Sequence, residues 1–142
     1  IQVTLLDSLG KRLDWLQEVA RDLGLENVTT LLGRAEEIGL EKQQREQYDT
    51  AVSRAVAALP VLSELCLPLV KPGGLFLAMK SNKTDEEIEA AEPIIQKLGG
   101  EPPFVMDYRL PGSEVYQRIV TVFKGRPTPP GYPRRWSKIK NP

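Results

Sequence analysis

Segments rich in β-branched and apolar residues, each ending on polar residues, recur along the chain, and a helical pattern follows the first of them. The segments are Gln2–Asp7, Val28–Glu36, Thr50–Arg54 and Leu75–Lys80. Apolar residues recur at helical spacing from residue 9 to residue 23, and Gly24 stands where a left-handed helix stop belongs. Strands that alternate with helices predict an α/β fold, with a mostly parallel sheet covered by helices on both faces.

The pattern changes in the second half of the chain. A short polar helix is predicted from Gly33 to about Gln44, and a second helix from Leu59 to Leu69. Lys71–Gly74 predicts a tight turn, and Thr84–Glu87 has the form of a capping box that opens a helix closed by Gly99. Two further runs share a short Pro-Gly-Ser link, which predicts an antiparallel hairpin. These runs are Pro102–Leu110 and Glu114–Lys124.

Composition excludes several classes of protein. With 142 residues, 41% hydrophobic and 27% charged, the chain is typical of one globular domain. The most apolar stretch, residues 55–70, is interrupted by Pro60, Glu64 and Pro68, so it falls short of the ~20 apolar residues that a spanning helix needs. A single cysteine, Cys66, and the absence of histidine argue against a disulfide and against Cys- or His-based metal sites. We therefore expect a cytoplasmic protein without a metal.

Charge is unevenly distributed along the chain. All six charged residues of positions 124–142 are basic, whereas the first 123 residues carry six more acidic than basic residues. We therefore divide the chain into residues 1–125, part of one α/β domain, and a basic, proline-rich tail at 126–142 that is expected to be extended or to act as a lid. Such a tail can contact a polyanion, although charge alone fits a solvated terminal run equally well.

The acidic ends of the strands are candidates for ligand binding. In nucleotide-binding α/β sheets, ligands bind at the carboxyl ends of the strands, where a carboxylate can accept hydrogen bonds from ribose hydroxyls. Asp7 has this position, although Asp7 and Ser8 could equally cap the helix that follows. Glu36 and Glu37 could be a solvated helix start. Arg54 could pair with a buried carboxylate for structural reasons.

Several motifs occur in the order typical of one family. They are Val3–Arg12, Gly33–Glu36, Val52–Val56, Lys71–Gly74, Tyr132–Arg135 and Lys140–Pro142. On these motifs the chain resembles the RsmG (GidB) family of bacterial methyltransferases, which methylate N7 of a guanine in small-subunit 16S ribosomal RNA with S-adenosylmethionine. The resemblance implies a Rossmann-like class I methyltransferase sheet with an antiparallel C-terminal hairpin. It also implies that the protein is an enzyme and that its partner is 16S ribosomal RNA or the small ribosomal subunit, and we expect a monomer.

The resemblance also assigns site residues. It implies that Asp7, Ser8 and Leu9 contact the adenosine ribose and that Ala35 and Glu36 hold adenine. It also implies that Arg54 lies against the cofactor, where its guanidinium could pair with the cofactor carboxylate or with an RNA phosphate. Methylation at N7 needs no general base, so no catalytic residue is assigned. The basic and aromatic residues of the tail resemble a phosphate-contacting arm in which Tyr132 or Trp136 could stack on a base, and Lys80 could face RNA or be solvated. The residues predicted to contact RNA are Lys80, Tyr132, Arg134, Arg135, Lys138 and Lys140.

One departure from the family affects the expected fold. Members carry further N-terminal segments, including a strand and a Gly-rich loop that holds the methionine part of the cofactor. In the family's sheet order that strand lies between Gln2–Leu6 and Thr50–Ser53, so its absence would leave two unpaired edges. We therefore expect the sequence to be a fragment of a longer protein and to bind the cofactor weakly by itself.

Other functions remain open at the level of sequence. They are a methyltransferase for another substrate, a dinucleotide-dependent dehydrogenase, and a non-catalytic RNA-binding fragment. The predicted hairpin favours a methyltransferase over a dehydrogenase, whose sheet would continue with parallel strands.

Overall fold

Strands and helices alternate along the chain, as the sequence pattern predicts. The computed structural model describes residues 1–54, 57–81 and 84–140. The strands are β1 (Val3–Asp7), β2 (Val28–Leu32), β3 (Tyr48–Arg54), β4 (Val70–Ser81), β5 (Phe104–Arg109) and β6 (Tyr116–Phe123). The helices are α1 (Gly10–Asp22), α2 (Ala35–Ile38), α3 (Leu59–Cys66), α4 (Asp85–Lys97) and α5 (Trp136–Ile139), and a 3-10 turn at Leu67–Leu69 follows α3. Residues 55, 56, 141 and 142 of the motifs quoted above lie outside the described residues.

In the described part of the chain the strands form two separate sheets. β1 pairs with β2 in parallel, and the second sheet has the order β3-β4-β6-β5. Within that sheet β3 and β4 are parallel, whereas β4 with β6 and β5 with β6 are antiparallel. The predicted hairpin is therefore confirmed. The predicted break between the first strand and the strand at 50–53 is confirmed as well, because β1 and β3 belong to different sheets.

The main core lies where α3 and α4 pack against the four-stranded sheet. Leu59, Phe76, Ile95 and Val120 in this cluster are at most 1% exposed. Each such side chain stabilises the fold by roughly 1.5–3 kcal/mol relative to an exposed position. The core thus holds β3, β4 and β6 in place and fixes the edge of β3 that faces the cleft described below.

Helix α1 packs beside the two-stranded sheet. Its buried residues are Leu13 and Ala20, on one face of the helix. The helix ends where the sequence predicts, because Gly24 has a φ of 70° and its N–H donates to the carbonyl of Arg21. Within the described residues, no helix combines the length and the apolar character that are needed to cross a bilayer.

The predicted capping box at the start of α4 is wrong in its hydrogen bonds. The hydroxyl of Thr84 donates to the carbonyl of Ser81, and Thr84 makes no side-chain cap hydrogen bond. Glu87 instead accepts from the N–H of Leu59 at 2.8 Å and pairs with Lys80 at 2.8 Å. Leu59 is the first residue of α3, whose preceding alanine has no side-chain acceptor, so Glu87 satisfies a free N–H of a different helix.

Two other predicted elements differ from the structure. Helix α2 ends at Ile38, and hydrogen-bonded turns, not helix, continue towards Gln44. Residues 71–74 form a bulge within β4 and not a turn between elements, because Tyr48 pairs with Val70 whereas Thr50 pairs with Leu75. Backbone hydrogen bonds to Lys124 hold the bulge in the sheet.

Candidate nucleoside cleft and basic tail

A cleft of about 620 Å³ lies between β1 and β3. Thr4–Asp7 of β1 and Thr50–Ser53 of β3 both line it. Within the described residues each of these strands pairs on one side only, so both present an unpaired edge. Apolar side chains of α1 and α3 line the cleft as well, among them Leu16 and Leu62. The two unpaired edges are those that the resemblance implies, so a ligand site is inferred here from the residues at the strand ends and not from the volume of the cleft.

Asp7 lines the cleft at the carboxyl end of β1. Its Oδ1 accepts from the N–H of Leu9 at 2.9 Å, and its Oδ2 accepts from the Arg12 guanidinium at 2.8 Å. The Leu9 N–H and, less strongly, Arg12 hold the pKa of Asp7 below its ordinary value. The carboxylate is therefore ionised at neutral pH and oriented by two donors. The hydrogen bond from the N–H of Leu9 to Asp7 closes a turn just before α1. Leu9 is the N-cap residue of α1 and makes no side-chain cap hydrogen bond.

The loop after β2 contributes a second acidic group. Glu36 is 7% exposed and lines the cleft, and its Oε1 accepts from Nε of Arg34 at 2.6 Å. Ala35 lines the same cleft. The alternative of a solvated helix start therefore fits Glu37, which is exposed, but not Glu36.

Four of the residues predicted to bind the cofactor line the cleft together, namely Asp7, Ser8, Ala35 and Glu36. Leu9 is 53% exposed and Arg54 is exposed at the end of β3, and neither lines the cleft. Ser53, the neighbour of Arg54, does line it. The structure thus brings together four of the six residues predicted to bind the cofactor, whereas Leu9 and Arg54 lie outside the lining of the cleft.

The basic tail is packed against the domain. Arg45 donates from its guanidinium to the backbone carbonyls of Thr128, Pro129 and Tyr132. Ile139 is 1% exposed. The expectation of an extended tail is wrong at residues 136–139, where the one-turn helix α5 forms and Ile139 occupies a buried site.

Arg134 is bound to a buried carboxylate. Its Nε and Nη2 lie 2.9 and 2.7 Å from oxygens of Glu64, whose side chain is 1% exposed, and its backbone N–H also donates to Glu64. A buried carboxylate needs such donors because water cannot solvate it. A lone glutamate within the apolar stretch at 55–70 was the sequence signal that could have predicted this pair.

The other residues predicted to contact RNA differ in exposure. Nζ of Lys80 lies 2.8 Å from the carbonyl of Ala57 and 2.8 Å from Glu87, with 9% of its side chain exposed. Tyr132 packs against the main core. Arg135, Lys138 and Lys140 are exposed. Among the residues predicted to contact RNA, these last three are open to a polyanion.

Trp136 is a cleft residue that the sequence did not indicate for this role. It lines the cleft together with Arg34, whose guanidinium lies 5.8 Å from the centroid of the indole ring.

The described residues contain no group of three or more His, Cys, Asp or Glu side chains that could hold a metal ion.

Comparison with known proteins identifies a family that the chain matches. The family model GidB, described as rRNA small subunit methyltransferase G, matches residues 1–115. The chain is 46% identical to ribosomal RNA small subunit methyltransferase G of Acetivibrio thermocellus, over 100% of this chain and 59% of that protein. It is 47% identical to the same enzyme of Lactobacillus delbrueckii subsp. bulgaricus, over 95% of this chain and 56% of that protein. The chain thus spans a little over half the length of these curated relatives.

A structural comparison supports the fold assignment. The crystal structure of M. jannaschii TYW2 in complex with AdoMet superposes with a TM-score of 0.62 over 85% of this chain and 56% of that chain, at 16% sequence identity. At this identity the likeness concerns the fold alone. The fold is that of a Rossmann-like S-adenosylmethionine-dependent methyltransferase, as the resemblance to the family implies.

Proposed function

The chain belongs to the GidB family of ribosomal RNA small subunit methyltransferases G, and from that premise we propose that it takes part in methylation of guanine N7 in 16S ribosomal RNA with S-adenosylmethionine. The proposed enzyme is a cytoplasmic monomer, and its substrate is 16S RNA or the small ribosomal subunit. The observation that carries the proposal is that Asp7 and Glu36 line one cleft at the ends of neighbouring parallel strands.

The residues of the cleft fit the adenosine half of the cofactor. The ionised carboxylate of Asp7 is an acceptor of the kind that ribose hydroxyls need, and its two protein donors leave further lone pairs on both oxygens. Glu36 is an acceptor at a buried position, suited to an amino group of adenine. The glycine that lines the cleft is Gly33, so the described residues offer no Gly-rich loop for the amino-acid half.

The proposed chemistry makes few demands on the protein. S-adenosylmethionine supplies a methyl group on a positively charged sulfur, and guanine N7 carries a lone pair that needs no deprotonation. The side chains of this chain would therefore orient the nucleoside and exclude water. The 142 residues contain no histidine, which is compatible with a reaction that needs no general base. Exposed Arg135, Lys138 and Lys140 would attract the RNA backbone.

A methyl-transfer assay tests this function directly. The protein expressed from its own gene is incubated with labelled S-adenosylmethionine and either naked 16S RNA or small subunits from cells that lack the enzyme. We expect label in the RNA, at a guanine that becomes sensitive to cleavage specific for 7-methylguanine. Label in another base would mean a methyltransferase of different specificity. RNA binding without label would favour a non-catalytic RNA-binding role.

Asp7→Asn is expected to weaken the binding of S-adenosylhomocysteine about tenfold or more, because a charged acceptor of the ribose hydroxyls becomes neutral. Calorimetry measures the affinity. Asp14→Asn is the matched control, because Asp14 is exposed on α1 and does not line the cleft. Equal affinities for the two variants would contradict a ribose contact at Asp7.

A further inference from the structure

The indole of Trp136 occupies a position that is suited to a purine ring. It comes from the basic tail, yet it lines the same cleft as Asp7 and Glu36. Trp136 as a whole residue is 38% exposed. Aromatic faces of this kind are the usual stacking partners of nucleic-acid bases.

Arg34 completes this wall of the cleft. Its guanidinium lies 5.8 Å from the centroid of the Trp136 ring, while its Nε donates to Glu36 at 2.6 Å. The bond to a buried carboxylate fixes the guanidinium, and guanidinium planes also stack on bases. Glu36, Arg34 and Trp136 therefore form one connected unit.

The position of Trp136 is set by the contacts of its neighbours. Two residues before it, Arg134 is bound to buried Glu64, and three residues after it, Ile139 is 1% exposed. Anchors on both sides hold the indole at the cleft. Because the tail is already ordered, ligand binding does not incur the entropy cost of ordering a mobile tail. This placement argues for a binding role in the cleft beyond contact with RNA.

We propose that Trp136 and Arg34 form an aromatic and guanidinium wall against which the adenine ring of the nucleoside packs. The inference rests on the proposed function and deepens it, because it assigns part of the basic tail to recognition of the cofactor. The tail would thus serve the cleft through Trp136 and the RNA through its exposed basic residues.

Fluorescence titration of the protein expressed from its own gene tests this inference, with S-adenosylhomocysteine and adenosine as probes. The given sequence has two tryptophans. The other one, Trp15, is 61% exposed on α1 and does not line the cleft. We expect both probes to change the emission of the Trp15→Phe protein as they do that of the wild type. The part of the change that comes from Trp136 should be lost in Trp136→Phe.

The affinities of two variants show whether the cleft needs an aromatic ring at position 136. Trp136→Phe keeps an aromatic face and should bind both probes within about threefold of wild type, whereas Trp136→Leu should bind them about tenfold more weakly. Thermal unfolding of each variant shows whether the tail stays docked. If Trp136→Leu does not fold, the loss of the emission change in Trp136→Phe still decides the question.

The outcomes that would overturn the inference are distinct from failure of the proposed function. A wild-type protein that binds neither probe would contradict both the proposed function and the adenine wall. Binding of the probes with no change in Trp136 emission, and with equal affinity in Trp136→Leu, would overturn the adenine wall alone. Weaker RNA binding by Trp136→Leu with unchanged adenosine binding would assign Trp136 to RNA and would also overturn it.

Discussion

Arg134→Ala is expected to lower the free energy of unfolding by about 3 kcal/mol, whereas Arg135→Ala, one position further along the same tail, is expected to leave it unchanged. The difference arises because Arg134 donates to the buried carboxylate of Glu64, while Arg135 is exposed. Removing Arg134 leaves the carboxylate with one backbone donor, the N–H of residue 134, in a site that is 1% exposed.

Urea unfolding followed by circular dichroism measures both variants. Arg134→Ala should unfold at a lower urea concentration, with a slope similar to that of wild type. Adding Glu64→Leu to the Arg134→Ala protein removes the buried charge itself and should restore most of the loss. RNA affinity, measured at a temperature where all proteins are folded, should fall for Arg135→Ala.

The opposite pattern would change the assignment of Arg134. If Arg134→Ala unfolds at the same urea concentration as wild type and weakens RNA binding, then Arg134 is free to contact RNA, as the sequence predicts. If the structural pair holds, the tail combines residues that attach it to the domain with residues that face solvent, and neighbouring arginines have different roles.

The sequence predicted the elements well because their signals are local. Helical spacing and Gly24 defined α1, and the Pro-Gly-Ser link between two strand-like runs defined the hairpin. The gap between β1 and β3 was predicted too, but from the resemblance to a family and not from any pattern in the residues. Local periodicity gives no information on which strands become neighbours.

Only part of the site was predicted, because some of its contacts join residues that are far apart in the sequence. Asp7 could be found because ligands bind at the carboxyl ends of the strands in such a sheet. Glu36 was assigned only through the resemblance to the family, because from the residues alone it could be a solvated helix start. Trp136 could not be placed at the cleft, because its contact with Arg34 joins distant parts of the chain. Glu87 was predicted to complete a capping box on its own helix. In the structure it instead accepts from a backbone N–H at the start of α3 and pairs with the ammonium of Lys80.

Lys124, at the end of β6, is expected to make stability depend on pH. Its ammonium is buried, with the side chain 0% exposed, and donates to the carbonyls of Leu67 at 2.8 Å and Val70 at 2.7 Å. The nearest carboxylate oxygen, on Glu46, is 3.9 Å away. Burial lowers the pKa of Lys124 to about 8 from an ordinary value of 10.5, and Arg45 adds to this effect while Glu46 opposes it.

The sign of the effect follows from proton binding. Between pH 8 and pH 10.5 the unfolded chain retains the proton on Lys124 while the folded protein has lost it. Stability rises with pH wherever the unfolded state binds more protons. The contribution of Lys124 to the free energy of unfolding should therefore increase by about 3 kcal/mol across this window and stay constant below it.

Lys124→Met isolates this contribution, because methionine has a similar length and no charge. Urea unfolding at intervals between pH 7 and pH 11 gives the free energy of unfolding of both proteins. The wild type should gain stability relative to Lys124→Met as the pH rises through the window. Other groups that titrate there cancel in the comparison, including Cys66, whose pKa burial raises to about 12 and whose effect has the opposite sign. Parallel curves would mean that Lys124 keeps its ordinary pKa in the folded protein, because the two carbonyls that accept from its ammonium offset the effect of burial.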